Sequence, residues 1–202
     1  MKLYYSPGAC SLSPHITALE AGINLTLVKV DTKTKKLEDG SDFLAVNPKG
    51  QVPTLMLDDG EIVTEGPVIA QILADLAPSS NLAPGNGTRA RYKLQEWLNF
   101  ITSEIHKGYS PLFKPTTPED YKPLAKAQLA ERYAFLNEKL AGKQYLLGDT
   151  FTVADAYLFT VSNWAKYVGL DLSPYANVAA FMARVAERPK VQQALKAEGL
   201  MQ

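Results

Sequence analysis

Cysteine and histidine are scarce in this chain of 202 residues, which has one cysteine and two histidines. A single cysteine excludes an intramolecular disulfide, and neither His15 nor His106 has a cysteine or carboxylate at metal-ligand spacing. Net charge is also lacking, because 21 Lys and Arg residues balance 21 Asp and Glu residues. The histidine spacing therefore predicts no metal site. Because no overall positive field attracts nucleic acid or anionic lipid, we also expect no nucleic-acid or membrane partner.

Long apolar runs are missing as well. No uninterrupted apolar stretch approaches the length that spans a bilayer. The N-terminus reaches Pro7 and Gly8 before the apolar segment of a signal peptide could form. Together with the single cysteine, these features predict a cytoplasmic protein in a reducing compartment. The hydrophobic content of 46% predicts a soluble globular chain with one large core or two small ones.

The chain begins with a pattern of alternating strands and helices. Met1 to Tyr5 and Leu25 to Val30 are apolar segments of strand length, and they flank a helical pattern from Ser11 to Ala21. This order predicts a βαβ unit with parallel strands.

A hairpin and a further helix follow this unit. A loosely wound helix is predicted to end at Val46, and Asp58-Asp59-Gly60 joins two short apolar segments in a predicted β-hairpin. Pro67 lies in the first turn of a helix predicted from Val68 to Leu76. The complete order is β-α-β-α-β-β-α, which is a thioredoxin-like layout.

The second half of the chain has a different character. Residues 78–87 are rich in proline, glycine and serine, and helical periodicity prevails after them. We therefore predict an α/β domain over residues 1–77, a linker over 78–87 and an all-helical domain over 88–202. One helix of the second half is predicted to begin with a capping box formed by Thr152 and Asp155.

Cys10 comes directly before the first predicted helix, whose apolar face includes Leu12 and Ile16. Unpaired N–H groups and the positive end of the helix dipole favour a thiolate at that position. We therefore predict a reactive cysteine whose pKa lies below the usual value of about 8.5. The alternative is a buried and inert thiol, since free cysteine is among the most buried residue types.

Asn99, Ser103 and His106 follow one another at i, i+4 and i+7 in a predicted helix of the second half. An α-helix would present this amide, hydroxyl and imidazole in one row. The row predicts a polar surface that faces a site, and a solvated helix face is the alternative.

Four segments carry a resemblance to a known family, and a thioredoxin-like half before an all-helical half supports it. The chain resembles the bacterial beta class of the cytosolic glutathione transferases from Met1 to Leu200. The segments are Tyr5-Ser6-Pro7-Gly8-Ala9-Cys10-Ser11, Asn47-Pro48-Lys49-Gly50-Gln51-Val52-Pro53, Leu98-Asn99 with His106-Lys107, and Phe151-Thr152-Val153-Ala154-Asp155-Ala156-Tyr157.

The resemblance implies two catalytic residues, Cys10 beside the glutathione sulfur and His106 facing it from the helical half. It also implies a set of glutathione-binding residues and an electrophile pocket. The glutathione-binding residues would be Lys35, Val52, Pro53, Glu65, Gly66, Asn99 and Ser103, and the electrophile pocket would be lined by Tyr109, Phe113 and Trp164.

Individual contacts follow from the same resemblance. Pro53 would be a cis-proline, and the Val52 backbone would pair with the cysteinyl unit of glutathione. Glu65 and Gly66 would hold the γ-glutamyl end, and Lys35 would hold the glycine carboxylate. The charges match those of glutathione, but Lys35 is also typical of a solvated surface and Glu65 of an ordinary helix start.

The implied protein is a homodimeric enzyme that conjugates the thiolate of glutathione to small, largely hydrophobic electrophiles in detoxification. Glutathione would be a co-substrate, with no permanently bound cofactor. Two other classes stay open. One is a glutaredoxin-like thiol transferase that works through a mixed disulfide between Cys10 and glutathione. The other is a non-catalytic interaction module, against which Cys10, Glu65 and His106 argue.

Overall fold

The computed structural model describes residues 1–201. The first part of the chain forms a five-stranded sheet with the order β3-β2-β1-β4-β5. The strands are β1 (Lys2–Tyr5), β2 (Thr26–Asp31), β3 (Lys36–Leu37), β4 (Thr54–Met56) and β5 (Ile62–Thr64).

Helices α1 and α2 belong to the sheet-containing half, and the helices from α3 onward make up the rest of the chain. Within residues 1–201, no helix combines the length and the apolar character needed to cross a bilayer. The helices are α1 (Leu12–Glu20), α2 (Gly66–Leu76), α3 (Arg89–Phe100), α4 (Lys107–Phe113), α5 (Tyr121–Lys139), α6 (Val153–Ser162), α7 (Ala165–Val168), α8 (Ala176–Ala186) and α9 (Pro189–Ala197).

The sheet has the predicted parallel pairing and the predicted hairpin, and it also has a short strand, β3, that the sequence did not predict. β1 runs parallel to β2 and antiparallel to β4, and β4 and β5 form the predicted hairpin. Leu3 of β1 pairs with Leu55 of β4, and both side chains are fully buried. The predicted α/β half followed by an all-helical half is therefore confirmed.

The second predicted helix is reduced to a single 3-10 turn over Phe43–Ala45. The Asp42 carboxylate accepts a hydrogen bond from the Leu44 N–H at 3.0 Å, and the buried Phe43 side chain anchors the turn. A longer helix before the turn is excluded, because Lys36 and Leu37 are extended and pair with β2 as strand β3.

One apolar cluster connects the two halves of the chain. Leu12 and Ile16 of α1 and Ala70 of α2 pack in the same buried cluster as Tyr157 of α6 and Val191 of α9. The helix that follows Cys10 is thus packed directly against the helical half. This packing brings residues from both halves to a common site.

Helix α6 begins with the predicted capping box. The Asp155 carboxylate accepts hydrogen bonds from the backbone N–H and the hydroxyl of Thr152, both at 2.8 Å. It also accepts from the Leu146 N–H at 2.9 Å. Asp155 is fully buried, so one carboxylate ties the start of a central helix to the loop before it.

Candidate active site

A cavity of about 360 Å³ lies where the sheet half meets the helical half. It brings together most of the predicted site residues. From the sheet half come Cys10, Lys35, Lys49, Val52, Pro53, Glu65 and Gly66, and from the helical half come Thr102, His106, Lys107, Ser110 and Tyr157.

Cys10 lies in the turn between β1 and α1, two residues before the helix begins at Leu12. The turn is closed by a hydrogen bond of 3.0 Å from the Ala9 N–H to the Ser6 carbonyl. The Cys10 thiol lies 3.2 Å from the Val52 carbonyl oxygen and donates to it. Cys10 is therefore placed at the cavity as a protonated hydrogen-bond donor.

The expected lowering of the cysteine pKa is wrong for this structure. Burial raises the pKa of Cys10 to about 12, although the N–H groups of Cys10 and Ser11 act in the opposite direction. The loss of hydration of a thiolate outweighs these two backbone dipoles. Cys10 is consequently a thiol at neutral pH.

The turn that carries Cys10 is also held by the helical half through Gly8. The Gly8 N–H donates to the Glu198 carboxylate at 2.9 Å, and the Trp164 indole N–H donates to the Gly8 carbonyl at 2.9 Å. Gly8 has φ of 71°, a left-handed conformation that glycine adopts without steric cost. Both backbone polar groups of Gly8 are thus fixed by residues of the helical half.

Val52 and Pro53 form the wall of the cavity before β4. The peptide bond between them is cis, as the resemblance implied. A Cβ atom built at Gly66 would lie 3.4 Å from the Pro53 ring, at ordinary van der Waals distance, so Gly66 packs directly beside this wall. Gly66 is also the first residue of α2, and its helix N-terminus therefore opens onto the cavity.

Charged groups from three segments surround this wall. Lys35 lines the cavity, and its ammonium donates to the Gly50 carbonyl at 2.7 Å. Glu65 has φ of 70°, which is uncommon for a residue with a side chain, and its carboxylate accepts from the Lys49 ammonium at 2.8 Å. Lys49 was not predicted as a site residue, because a single lysine in a turn is typical of a solvated surface.

His106 faces the cavity from the end of a π-helical segment, Ile101–His106, between α3 and α4. Its Nδ1 atom lies 2.6 Å from the Tyr157 hydroxyl. Burial, together with the charge of the adjacent Lys107, lowers the pKa of His106 to about 4. The imidazole is therefore neutral at pH 7.

Comparison with known proteins identifies both halves of the chain. The glutathione S-transferase N-terminal domain matches residues 8–76, and the glutathione S-transferase C-terminal domain matches residues 100–189. The chain is 55% identical over 200 residues to glutathione S-transferase GstA of Escherichia coli O157:H7, with 99% of this chain and 100% of that protein covered. The chain belongs to the glutathione S-transferase family.

Solved structures place this glutathione transferase more closely. A bacterial beta-class glutathione S-transferase from Sphingomonas chungbukensis is 47% identical, with a TM-score of 0.96 over 100% of both chains. A sphingomonad glutathione S-transferase complexed with glutathione is also 47% identical, with a TM-score of 0.96 over 99% of this chain and 100% of that chain. The resemblance to the beta class is confirmed, and the chain is a transferase enzyme.

Two predicted residues of the transferase lie outside the cavity that contains Cys10. Asn99 and Ser103 border a second, open depression together with Arg132 and Phe135. They do not share a face with His106, because a turn of the π-helical segment holds more residues than an α-helical turn and so rotates His106 away from their row. Their binding to glutathione stays a prediction.

The three predicted electrophile-pocket residues form an aromatic group behind His106. Trp164 packs edge-on against His106, with ring centroids 4.9 Å apart, and against Tyr109 and Phe113, both at 5.8 Å. Tyr109 is fully buried, and its hydroxyl is hydrogen-bonded to that of Tyr133 at 2.8 Å. Phe113 is the exposed member of the group. A pocket role for the three stays a prediction.

Tyr157 is a further side chain at the cavity that the sequence did not single out. It lies in α6, which is apolar almost all round, so its pattern is that of a core residue. Its hydroxyl nevertheless contacts His106 at the cavity. The segment from Phe151 to Tyr157, which carries part of the family resemblance and the capping box, is the sequence signal that includes it.

Proposed function

We propose that this transferase binds its co-substrate glutathione in the cavity beside Cys10 and joins the glutathione thiolate to small, largely apolar electrophiles. The observation that carries the proposal is the arrangement of charges in the cavity. Glutathione has one amine and two carboxylates, and the cavity offers the Glu65 carboxylate, the Lys35 ammonium and the N-terminus of α2. Residues 1–77 would bind glutathione and residues 88–202 would hold the electrophile.

The polar groups along the wall support one orientation of glutathione. Glu65 would pair with the γ-glutamyl amine and Lys35 with the glycine carboxylate, while Gly66 would contribute its backbone. The Val52 carbonyl would accept from the cysteinyl N–H, and its second lone pair leaves room for the Cys10 thiol that it already binds. The glutathione sulfur would then lie between Cys10 and His106.

The chemical step is the attack of a thiolate on an electrophilic carbon. Glutathione's thiol releases its proton to solvent, the sulfur forms a bond to carbon, and in a substitution the leaving group departs with its electron pair. Hydrogen-bond donors around the sulfur lower the free energy of the anion. The protonated Cys10 and the neutral His106 are the candidates for that role.

A conjugation assay with an aromatic electrophile, such as a chlorodinitrobenzene, tests this proposal. Glu65→Gln removes the charge that would bind the γ-glutamyl amine, so KM for glutathione is expected to rise about tenfold while kcat changes much less. Glu61→Gln is the matched control, since Glu61 is exposed in the hairpin outside the cavity. An unchanged KM in Glu65→Gln, or a wild type without conjugation activity, would contradict the proposal.

Thiol transfer through a mixed disulfide between Cys10 and glutathione is the alternative, and the site does not favour it. Such a reaction begins with a cysteine thiolate. Burial raises the pKa of Cys10 to about 12, which leaves very little thiolate at neutral pH. Conjugation needs only the thiolate of glutathione itself.

The proposed active form is a homodimer, and Asn99 and Ser103 support it. They lie outside the cavity of their own subunit, on a surface that a second copy could cover. In a symmetric dimer each subunit would offer these residues to the glutathione site of its partner.

The proposed role is detoxification in the cytoplasm, and the single cysteine is suited to a reducing compartment.

Sedimentation equilibrium at micromolar concentration is expected to give twice the 22.1 kDa mass of the chain. Asn99→Ala and Ser103→Ala should each raise KM for glutathione by a few fold without changing that mass. A monomer with full activity would contradict both the dimer and the shared site.

A further inference from the structure

His106 is held on two sides by aromatic residues of the helical half. Tyr157 approaches it edge-on with ring centroids 5.8 Å apart, and its hydroxyl lies 2.6 Å from Nδ1. Trp164 packs against it with the centroids 4.9 Å apart. Tyr157 is only 2% exposed and lies in the central helix α6, so the hydroxyl is a fixed partner for the imidazole.

The second ring nitrogen of His106, Nε2, has no hydrogen-bond partner within residues 1–201. If Nε2 were buried, it would be a buried polar atom without a partner. Within residues 1–201 the only such side-chain atom is Ser13 Oγ, so Nε2 of His106 is accessible to solvent. His106 lines the cavity that also contains Cys10. The accessible nitrogen therefore opens toward the place proposed for the glutathione sulfur.

The position of the ring proton follows from the partners of Tyr157. Both groups are neutral at pH 7, because burial lowers the pKa of His106 to about 4 and raises the pKa of Tyr157 above its ordinary value. The Tyr157 hydroxyl keeps its proton; Nδ1 of His106 lies 2.6 Å from it, and the Thr102 hydroxyl is its other hydrogen-bonding neighbour. If Nδ1 accepts, the single proton of the neutral ring must lie on Nε2.

We propose that Tyr157 is a positioning residue, which donates its hydroxyl proton to Nδ1 of His106 and so keeps the Nε2–H of a neutral imidazole directed at the glutathione thiolate. This inference rests on the proposed function of the same cavity. His106 then acts as a fixed hydrogen-bond donor, and no proton passes through it during the reaction. The thiol proton of glutathione goes to solvent, and the anion that remains accepts from Nε2–H.

The opposite arrangement is a well-defined alternative. The Thr102 hydroxyl also lines the cavity and donates to the Leu98 carbonyl at 2.8 Å, which leaves its oxygen able to accept. If Tyr157 donated to Thr102, the imidazole would donate from Nδ1 and present a bare Nε2 to the cavity. His106 would then be a base and not a donor.

Nitrogen-15 NMR of the histidine rings in the full-length protein distinguishes the two tautomers without an activity assay. The chain has two histidines, so the signals that disappear in His106→Ala belong to His106. At pH 7 we expect a protonated Nε2 and an unprotonated Nδ1, and a mixture of tautomers in Tyr157→Phe. A protonated Nδ1 in the wild type would overturn the proposal.

Tyr175→Phe is the matched control for the NMR experiment. Its hydroxyl donates to the Ala130 carbonyl at 2.9 Å, outside the cavity, so this variant also loses one hydrogen bond from a tyrosine. The His106 tautomer should be unchanged in it. A tautomer change of the same size in Tyr175→Phe would mean that any lost tyrosine hydrogen bond in the helical half has this effect. That result would overturn the specific role of Tyr157.

A double-mutant cycle tests whether Tyr157 acts through His106. Tyr157→Phe is expected to lower kcat for conjugation about tenfold with little change in KM for glutathione, and to cause no further loss in a His106→Ala background. Losses that multiply in the double variant would mean independent roles and contradict the proposal. A wild type without conjugation activity would refute the proposed function, whereas the NMR result would still decide the tautomer.

Discussion

Replacing Asp155 with alanine is expected to lower the free energy of unfolding by about 3 kcal/mol, because three buried donors lose their acceptor together. These donors are the backbone N–H groups of Leu146 and Thr152 and the hydroxyl of Thr152. Water cannot replace the carboxylate easily, since Asp155 is fully buried. The expected loss exceeds the value of about 1 kcal/mol that is typical of an N-cap alone.

Urea denaturation followed by far-UV circular dichroism measures this change. Asp149→Ala is the matched control, because Asp149 is an exposed acid in the loop just before α6, and its removal should change stability by less than about 0.5 kcal/mol. Turnover per folded molecule should stay close to the wild-type value in Asp155→Ala, since Asp155 does not line the cavity. Unchanged stability with lost turnover would instead give Asp155 a direct role in catalysis.

Cys10 is expected to react with iodoacetamide at pH 7 about a thousandfold more slowly than a free cysteine, whose pKa is about 8.5. The nucleophile is the thiolate, and burial raises the pKa of Cys10 to about 12. The thiol also donates to the Val52 carbonyl at 3.2 Å, and that hydrogen bond is lost on ionisation. The rate should therefore increase with pH through pH 9 without reaching a plateau.

The same protein in urea supplies the control, since Cys10 is the single cysteine and its unfolded form should react at the ordinary rate. Cys10→Ala should retain part of the conjugation activity, because Val52, Glu65 and His106 would still contact glutathione although the Cys10 donor is lost. A rate that reaches its plateau below pH 8.5 would show a thiolate at neutral pH. A mass increase after incubation with oxidised glutathione would lead to the same conclusion and restore the thiol-transfer alternative.

The fold could be predicted where local patterns carry the information. The βαβ unit, the Asp58-Asp59-Gly60 hairpin and the Thr152 and Asp155 capping box depend on neighbours in sequence, and all three are present. The resemblance further implied that Lys35, Glu65 and their neighbours would meet, and the structure brings them to one cavity.

The remaining features depend on packing that sequence spacing does not contain. The π-helical segment Ile101–His106 separates His106 from Asn99 and Ser103, although α-helical spacing places the three in one row. The backbone dipoles before α1 favour a Cys10 thiolate, whereas burial between the two halves has the larger effect and raises the pKa of Cys10. Tyr157 was missed for a similar reason. Its apolar surroundings in α6 are typical of a core residue, and its contact with His106 depends on how two helices pack.

The apolar cluster that Leu12 and Ile16 share with the helical half has a consequence for biosynthesis. A ribosome releases the sheet half first, and its helix α1 then still exposes the face that α6 and α9 will cover. The turn that holds Cys10 waits longer, because Glu198, which fixes Gly8, lies 190 positions further along the chain and is synthesised much later. A nascent chain thus contains Cys10, Val52 and Glu65 before residues of the helical half complete the cavity that they line.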